Sequence, residues 1–297
     1  MRFDPGLCIG EKITFAELRT IFQCGNAGGM LATKKYKTLV IISDHTKMYS
    51  DRWEGSVLHY VGMGQEGDQT LSGNANQKLY ESETNGFTVH LFEVFVKKEY
   101  EYRGIVRLVQ TPYQEQQRDK NGNMRKVWVF PLQLVHEIEA EERIADERLL
   151  DRMNHMTVPE MDRVEFHYTG TPKRRGQPTI QNNIKVYPRS EKVSRNAMAY
   201  VGYACEIDEH HPSFLRRKNH CNYVEPHHLV PMEYSEKFDV SLDVEENIVA
   251  LCSNCHNQIH YGCGYEELIE TLYNKRKELL EKVGIYISLE ELKDMYI

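Results

Sequence analysis

The sequence predicts an α+β protein in three parts, and changes of pattern along the chain define them. Residues 1–133 contain short runs rich in Val, Ile, Leu, Phe and Tyr separated by turn residues, as β-strands do. Residues 134–165 change to helical spacing with many acidic side chains. Residues 166–297 contain clustered Cys and His, followed by amphipathic helical segments. We therefore expect a β-rich N-terminal domain, a helical linker and a metal-binding C-terminal domain.

The N-terminal domain is expected to be built mainly from strands. These are predicted at residues 37–43, 56–61, 87–96, 104–110 and 126–130. The run Asp119-Lys120-Asn121-Gly122-Asn123 lies between two strand-like segments, which predicts a hairpin loop.

The charge changes sign along the middle of the chain. Residues 135–165 contain ten acidic residues and four arginines, and apolar residues recur from Leu134 to Met153 at helical spacing. We interpret this segment as a solvated connecting helix, with a dimerisation helix as the alternative. Residues 167–218 contain ten basic and four acidic residues, so this segment is the basic part of the chain.

Composition excludes several classes of protein. The 297 residues carry a net charge of −7, which argues against a protein that coats DNA indiscriminately through basic residues. No apolar run is long enough to span a membrane, and the first residues lack the apolar core of a signal peptide. The seven cysteines show no disulfide framework. We expect a reduced, cytoplasmic protein in which clustered Cys and His bind metal.

A first group of residues has the spacing of a structural zinc site. Cys252 and Cys255 form a CxxC pair, and Cys205 is the natural third ligand. His211 is our choice for the fourth, because imidazole binds structural zinc more often than a carboxylate does. The alternatives that stay open are His210, Asp208 and Cys221.

A second group has the residue types of a hydrolytic site. His227 and His228 are adjacent at the end of a strand-like segment, so their side chains point to opposite sides. His256 and His260 are four residues apart on a predicted helix and share one face. One histidine of the pair can therefore bind a metal ion while the other acts as a general base on the substrate side.

Residues 200–262 resemble an HNH, or ββα-metal, endonuclease of the zinc-stapled subtype. The resemblance implies that His228 is the general base and that His227 and His256 bind the catalytic divalent cation. It also implies that Asn247 braces the loop and that His260 is an auxiliary phosphate or metal contact. The implied cofactors are a structural Zn²⁺ and a catalytic Mg²⁺, with Mn²⁺, Co²⁺ or Ni²⁺ as substitutes.

Residues 10–133 resemble SRA domains, which are PUA-like β-barrels that flip a modified cytosine out of duplex DNA. The resemblance rests on the stretches at residues 49–55, 59–69 and 73–76. It implies that Tyr49 and Tyr60 stack on the flipped base and that Asp51 accepts a hydrogen bond from its amino group.

Three consecutive basic residues, Lys173, Arg174 and Arg175, precede the nuclease-like segment and are expected to contact the DNA backbone. The resemblances together imply a modification-dependent endonuclease. It would recognise 5-methylcytosine or 5-hydroxymethylcytosine in double-stranded DNA, act as a homodimer and need no membrane or nucleotide cofactor. The alternatives are a nuclease whose barrel reads methyladenine, phosphorothioate or a partner protein, and a non-catalytic zinc-stapled DNA-binding protein.

Overall fold

The computed structural model describes residues 3–47, 51–157, 168, 170–181 and 184–296. The chain forms two compact units, each with its own core. The first comprises residues 1–139 with 182–184, and the second comprises residues 140–181 with 185–297. In the described residues, no helix is long and apolar enough to cross a membrane.

Among the described residues, the first unit contains nine strands and two short helices. The strands are β1 (Lys12–Ile13), β2 (Met30–Thr33), β3 (Thr38–Asp44), β4 (Arg52–Glu54), β5 (Val57–Val61), β6 (Thr88–Val94), β7 (Tyr100–Leu108), β8 (Tyr113–Arg118) and β9 (Met124–Leu134). The helices are α1 (Phe15–Phe22) and α2 (Ala75–Tyr80). A capping box formed by Thr14 and Glu17 begins α1.

All nine strands belong to one sheet. Its main path runs β2-β3-β6-β7-β9-β5-β4, with β1 paired to β7 and β8 paired to β9. The β3–β6 pair is parallel and the other pairs are antiparallel. One apolar cluster of the unit includes Leu39, Leu91 and Phe130, which are fully buried. All five predicted strands are present, although the closed barrel stays a prediction.

The predicted hairpin loop is confirmed between β8 and β9. The Asp119 amide donates to the Asn123 carbonyl, and the Asp119 carboxylate accepts from the amides of Asn121 and Asn123. Gly122 has φ of +85°, a left-handed conformation that glycine adopts without steric cost.

The long helix α3 (Val135–His155) lies where the sequence predicted a helix, and its residues from Ala140 onward belong to the second unit. It is not solvated on all sides, because Leu149 and Met153 are buried in a small core with Met198, Val224 and Ala250. This packing anchors the C-terminal half of α3 within the second unit.

The second unit places a strand pair between helices. Its elements are β10 (Thr179–Gln181), β11 (Ile184–Val186), α4 (Glu191–Tyr200), β12 (Glu225–His228), β13 (Ile248–Leu251), α5 (Ser253–Tyr261), α6 (Tyr265–Lys282) and α7 (Leu289–Lys293). Its main core contains Leu229, Leu251, Ile259, Leu272 and Leu280, all with at most 3% of their surface exposed.

Candidate functional site

The candidate site of the second unit is built on a strand–strand–helix segment. β12 and β13 are antiparallel, with His227 opposite Val249 and His228 opposite Ile248. Cys252 follows β13 directly and is the N-cap of α5. The short turn between strand and helix therefore holds the Cys252–Cys255 pair beside the residues of β12.

The structure brings Cys205, His211, Cys252 and Cys255 together. One ligand atom from each lies within 4.8 Å of the others, and the Nδ1 atom of His211 is 3.3 Å from the Sγ atom of Cys255. The three cysteines are buried. Three thiolates and one imidazole in a closed arrangement are the donor set of a structural zinc site.

The neighbourhood of Cys205 favours its thiolate, whereas burial and the adjacent sulfurs raise the pKa of Cys255. Burial acts to raise the pKa of Cys205, but backbone N–H groups of Cys252, Asp208 and Ile207 outweigh it and lower that pKa to about 7. The carboxylate of Asp208 accepts from the His210 amide, and its carbonyl accepts from the His211 amide. Asp208 therefore shapes the turn that presents His211.

A second cluster consists of His227, His256 and His260, whose ligand nitrogens also lie within 4.8 Å of one another. The centroids of the three rings are 4.9–5.1 Å apart. His260 is as close to the other two as they are to each other, so it has the position of a full ligand. The three imidazoles can hold one metal ion and leave further coordination positions for water or substrate.

Two of these imidazoles are oriented by a fixed partner. The Nδ1 atom of His256 is 2.5 Å from the carboxylate of Glu225, which also accepts from the Ser253 hydroxyl. The Nε2 atom of His227 is 2.8 Å from the Tyr296 hydroxyl. Because Tyr296 donates its proton to the Leu229 carbonyl at 2.6 Å, it accepts from His227 Nε2–H. These bonds leave His256 Nε2 and His227 Nδ1 as the lone-pair nitrogens that a metal ion needs.

Removal from water favours the neutral form of His227 and His260. Together with repulsion from the neighbouring imidazoles, it lowers the pKa of His227 well below its usual value. The same two causes lower the pKa of His260 to about 4. Neutral imidazole is the form that binds metal, so these two rings can accept a cation near neutral pH.

His228 points to the other side of β12 from His227. Its Nε2 atom is 3.1 Å from the Asp243 Oδ1 atom, and the second carboxylate oxygen of Asp243 accepts from the Ser190 amide. If Asp243 holds the Nε2 proton, the Nδ1 atom of His228 keeps its lone pair and can accept a proton from water. The structure thus gives the predicted base an acidic partner.

Asn247 is completely buried and holds the loop that follows β12. Its side-chain amide donates to the carbonyls of Val230 and Leu242, and its oxygen accepts from the Val230 amide. It therefore links the loop after His228 to the segment before Asp243.

The candidate base-binding residues of the first unit differ in their placement. Asp51 accepts from the Val61 amide at 2.8 Å, and burial raises the pKa of its carboxyl to about 6. Tyr60 is only 3% exposed and its hydroxyl donates to the Gly29 carbonyl. Its ring therefore packs in the core and is not an open stacking surface in this structure. Tyr49 lies outside the described residues.

A buried carboxylate next to Asp51 was not predicted. Glu93 is 1% exposed and accepts from the Trp53 indole N–H at 2.9 Å. His45 and Arg103 also contact its carboxylate, at 2.9 and 3.3 Å. Such a paired, buried acid fixes the strands around Asp51 in place.

Two of the three predicted backbone-contact residues are occupied inside the protein. Lys173 pairs with the buried Glu245 carboxylate at 2.7 Å. Arg175 donates to the carbonyls of Ser235 and Phe238 at 2.8 and 2.7 Å. Arg174 is exposed. Lys173 and Arg175 therefore stabilise the second unit, and the DNA-backbone contact of this run stays a prediction.

Three residues of the site were missed by sequence reasoning. Glu225 could have been found, because it lies two residues before His227 on the same face of β12. Asp243 and Tyr296 carry no local signal, since 15 and 69 positions separate them from the histidines that they contact.

Comparison with known proteins connects the first unit to a family. Residues 10–154 match the family model of the ScoMcrA-like SRA domain. The type IV methyl-directed restriction enzyme EcoKMcrA of Escherichia coli K12 is 36% identical over 95 residues, which are 32% of this chain and 32% of that protein. The chain thus matches about a third of the length of this curated relative.

Solved structures show weaker likeness. The type IV phosphorothioation-dependent restriction endonuclease ScoMcrA is 17% identical, with 93% of this chain and 64% of that chain covered and a TM-score of 0.37. The modification-dependent TagI restriction endonuclease is 17% identical, with 87% and 79% covered and a TM-score of 0.37. The SUVH5 SRA domain in complex with methylated CHH DNA is 22% identical, with 46% and 94% covered and a TM-score of 0.35. Residues 10–154 are therefore similar to the SRA domain of ScoMcrA-like proteins, and 95 residues of the chain are similar to part of a type IV restriction enzyme.

Proposed function

We propose that this chain is a modification-dependent DNA endonuclease. The SRA domain would recognise 5-methylcytosine or 5-hydroxymethylcytosine in duplex DNA, and the second unit would hydrolyse phosphodiester bonds with an HNH site. One observation carries the catalytic half of the proposal: His227 belongs to a three-histidine cluster, and the adjacent His228 contacts Asp243 on the opposite side of the strand.

In this mechanism His228 accepts the proton of the attacking water at Nδ1. Asp243 holds the Nε2 proton of the same ring, which fixes the tautomer and stabilises the imidazolium that forms. The ring is 5% exposed, so few orientations are open to it. Asn247 keeps the following loop in register with β13 and thereby limits movement of His228.

His227, His256 and His260 would hold the catalytic cation, with Mg²⁺ as the expected ion and Mn²⁺, Co²⁺ or Ni²⁺ as substitutes. When bound, the cation neutralises the scissile phosphate and stabilises the leaving oxygen. Cys205, His211, Cys252 and Cys255 would hold a structural Zn²⁺ that fixes the start of α5, and with it the position of His256.

In the SRA domain Asp51 would read the Watson–Crick edge of a flipped base. Because its pKa is about 6, the carboxyl is ionised above that pH and can accept a hydrogen bond from the cytosine amino group. Cutting both strands needs two active sites, so we propose that two copies of the chain act together on DNA.

The test compares cleavage of modified and unmodified copies of one plasmid. We expect the wild-type chain to cut only the modified copy, and His228→Ala to reduce kcat by about 10³-fold or more while the protein keeps its zinc. Asp51→Asn should lose the preference for modified DNA. Equal cleavage of both plasmids would refute the recognition of modified bases by the SRA domain. An active His228→Ala variant would refute the role of His228 as general base.

A further inference from the structure

The hairpin at residues 212–223 is a basic surface that the proposed mechanism does not use. Leu215 and Asn222 form an isolated antiparallel bridge, and a turn at residues 217–219 joins the two sides. The segment contains Arg216, Arg217 and Lys218 and no acidic residue, in a chain whose net charge is −7. Such a concentration of positive charge indicates an anionic partner.

The hairpin is held rigidly by one buried arginine. Arg216 is 4% exposed and donates to the carbonyls of Asn222 and Val224 and to the side chain of Asn154. Its guanidinium also lies 4.9 Å from the centroid of the Tyr223 ring. Arg216 is therefore a structural anchor, and it fixes the direction of the residues that follow it.

The next two residues are free to meet a ligand. Arg217 and Lys218 are both exposed, and within the described residues neither forms an ion pair with an acidic side chain. On the preceding side, Phe214 and Leu215 are 62% and 59% exposed, and Phe214 stacks on Tyr223 at 4.6 Å. Two unpaired cations beside an exposed apolar edge suit a sugar–phosphate backbone, which offers both charge and deoxyribose carbons.

Strand β12 relates the hairpin to the histidine cluster. Arg216 donates to the Val224 carbonyl, and Val224 directly precedes β12, which carries His227. Three residues separate Val224 from His227, which is about 10 Å along an extended strand at about 3.3 Å per residue. Three base pairs of a duplex have a similar length, at about 3.4 Å each.

We propose that Arg217 and Lys218 bind backbone phosphates of the substrate duplex a few base pairs from the scissile bond. The hairpin would thereby determine which phosphodiester bond is cleaved. The proposal rests on the proposed nuclease function. The hairpin would supply sequence-independent binding energy for DNA in the second unit. Lys173 and Arg175 are less suited to that role, because they bind the Glu245 carboxylate and the Ser235 carbonyl within the protein.

The test uses the full-length chain on modified duplex DNA. We expect the double variant Arg217→Ala/Lys218→Ala to raise KM roughly 10-fold, to change kcat at saturating DNA by less than about twofold, and to keep its zinc. In a His228→Ala background, the slope of log K against log salt should become shallower by about 2, since about 0.9 is lost for each phosphate contact. The matched control is Lys277→Ala/Lys282→Ala, which removes two exposed lysines of α6.

A second measurement locates the contact. Ethylation of single phosphates should inhibit the wild-type enzyme at positions about three to five base pairs from the cut, and the double variant should be insensitive there. A double variant that matches the control in KM and salt slope would overturn the proposal. If the wild-type chain cuts no modified DNA, the proposed function fails instead, and the two failures are thereby distinguished.

Discussion

The Cys-rich cluster and the histidine cluster of the second unit share helix α5, yet their surroundings differ. The Cys-rich cluster has four ligands from three segments, and its three cysteines are buried. The histidine cluster has three ligands, and His256 and His260 are more exposed. A complete ligand set suits a structural ion, whereas an incomplete one leaves room for substrate. The number of ligands and their solvent exposure, more than the residue types, thus distinguish a structural metal site from a catalytic one.

The largest expected effect comes from breaking the Cys-rich cluster. Cys252→Ala should leave the second unit unfolded, because the binding free energy of a structural zinc ion is also folding free energy. Metal analysis should find one tightly held zinc per wild-type chain and none in the variant. Circular dichroism should show loss of helix. Cys263→Ala removes an exposed free cysteine and is the control that should keep both zinc and fold. A folded, zinc-free Cys252→Ala chain would contradict the structural role of this metal site.

Breaking the histidine cluster should abolish activity without unfolding. His256→Ala removes a ligand and leaves the Glu225 carboxylate without its partner. We expect the affinity for the catalytic cation to fall by about 100-fold or more, while zinc content and thermal stability change little. Titration calorimetry with Mn²⁺ measures the affinity, and His210→Ala, at an exposed histidine, is the matched control. Loss of zinc in His256→Ala would show that the two clusters are not independent.

A smaller effect should follow from removing one hydroxyl behind the histidine cluster. Tyr296→Phe keeps the buried ring but deletes the acceptor for His227 Nε2–H. We expect a 10- to 100-fold weaker affinity for the catalytic cation, with zinc retained, since this bond orients the ligand. Tyr286→Phe, at a tyrosine that is 75% exposed, should behave as wild type. Equal metal affinity in both variants would mean that Tyr296 serves packing alone.

The smallest effect concerns pH. Burial lowers the folded-state pKa of His227 and brings that of His260 to about 4, against about 6.5 when unfolded. Without catalytic cation, the stability that these neutral rings contribute is complete above pH 6.5 and is lost as pH falls toward 4. His260→Gln should reduce this loss of unfolding free energy by about 1 kcal/mol. The value is lowered to allow for the solvent exposure of His260. Calorimetric unfolding of the zinc-loaded chain measures it, and His220→Gln is the exposed control. An unchanged decline would refute the assignment.

Local sequence pattern was sufficient for much of the molecule. Runs rich in apolar and aromatic residues between turn residues located five of the nine strands that the structure describes in the sheet, and helical spacing located α3. The CxxC pair and the His256–His260 spacing predicted which side chains would share one short turn and one helix face. These features depend on interactions between residues close in the chain, so a single sequence reveals them.

Other features depended on contacts between distant segments. The acidic partner of His228 and the hydroxyl behind His227 come from Asp243 and Tyr296, which only folding brings to the strand. The sequence likewise showed no sign that Lys173 and Arg175 bind groups within the protein. Their partners, the Glu245 carboxylate and the carbonyls of Ser235 and Phe238, lie 60 to 72 residues away in the chain.

By itself, the sequence determined the α+β composition, the acidic helix and the identity of the two ligand groups. The tertiary structure alone decided which partners His227, His228 and His256 meet, which basic residues remain at the surface and how far Tyr60 is buried. The reason is physical: residue type and spacing fix what a side chain can donate or accept, whereas its partner depends on which segments the packed core brings within about 3 Å.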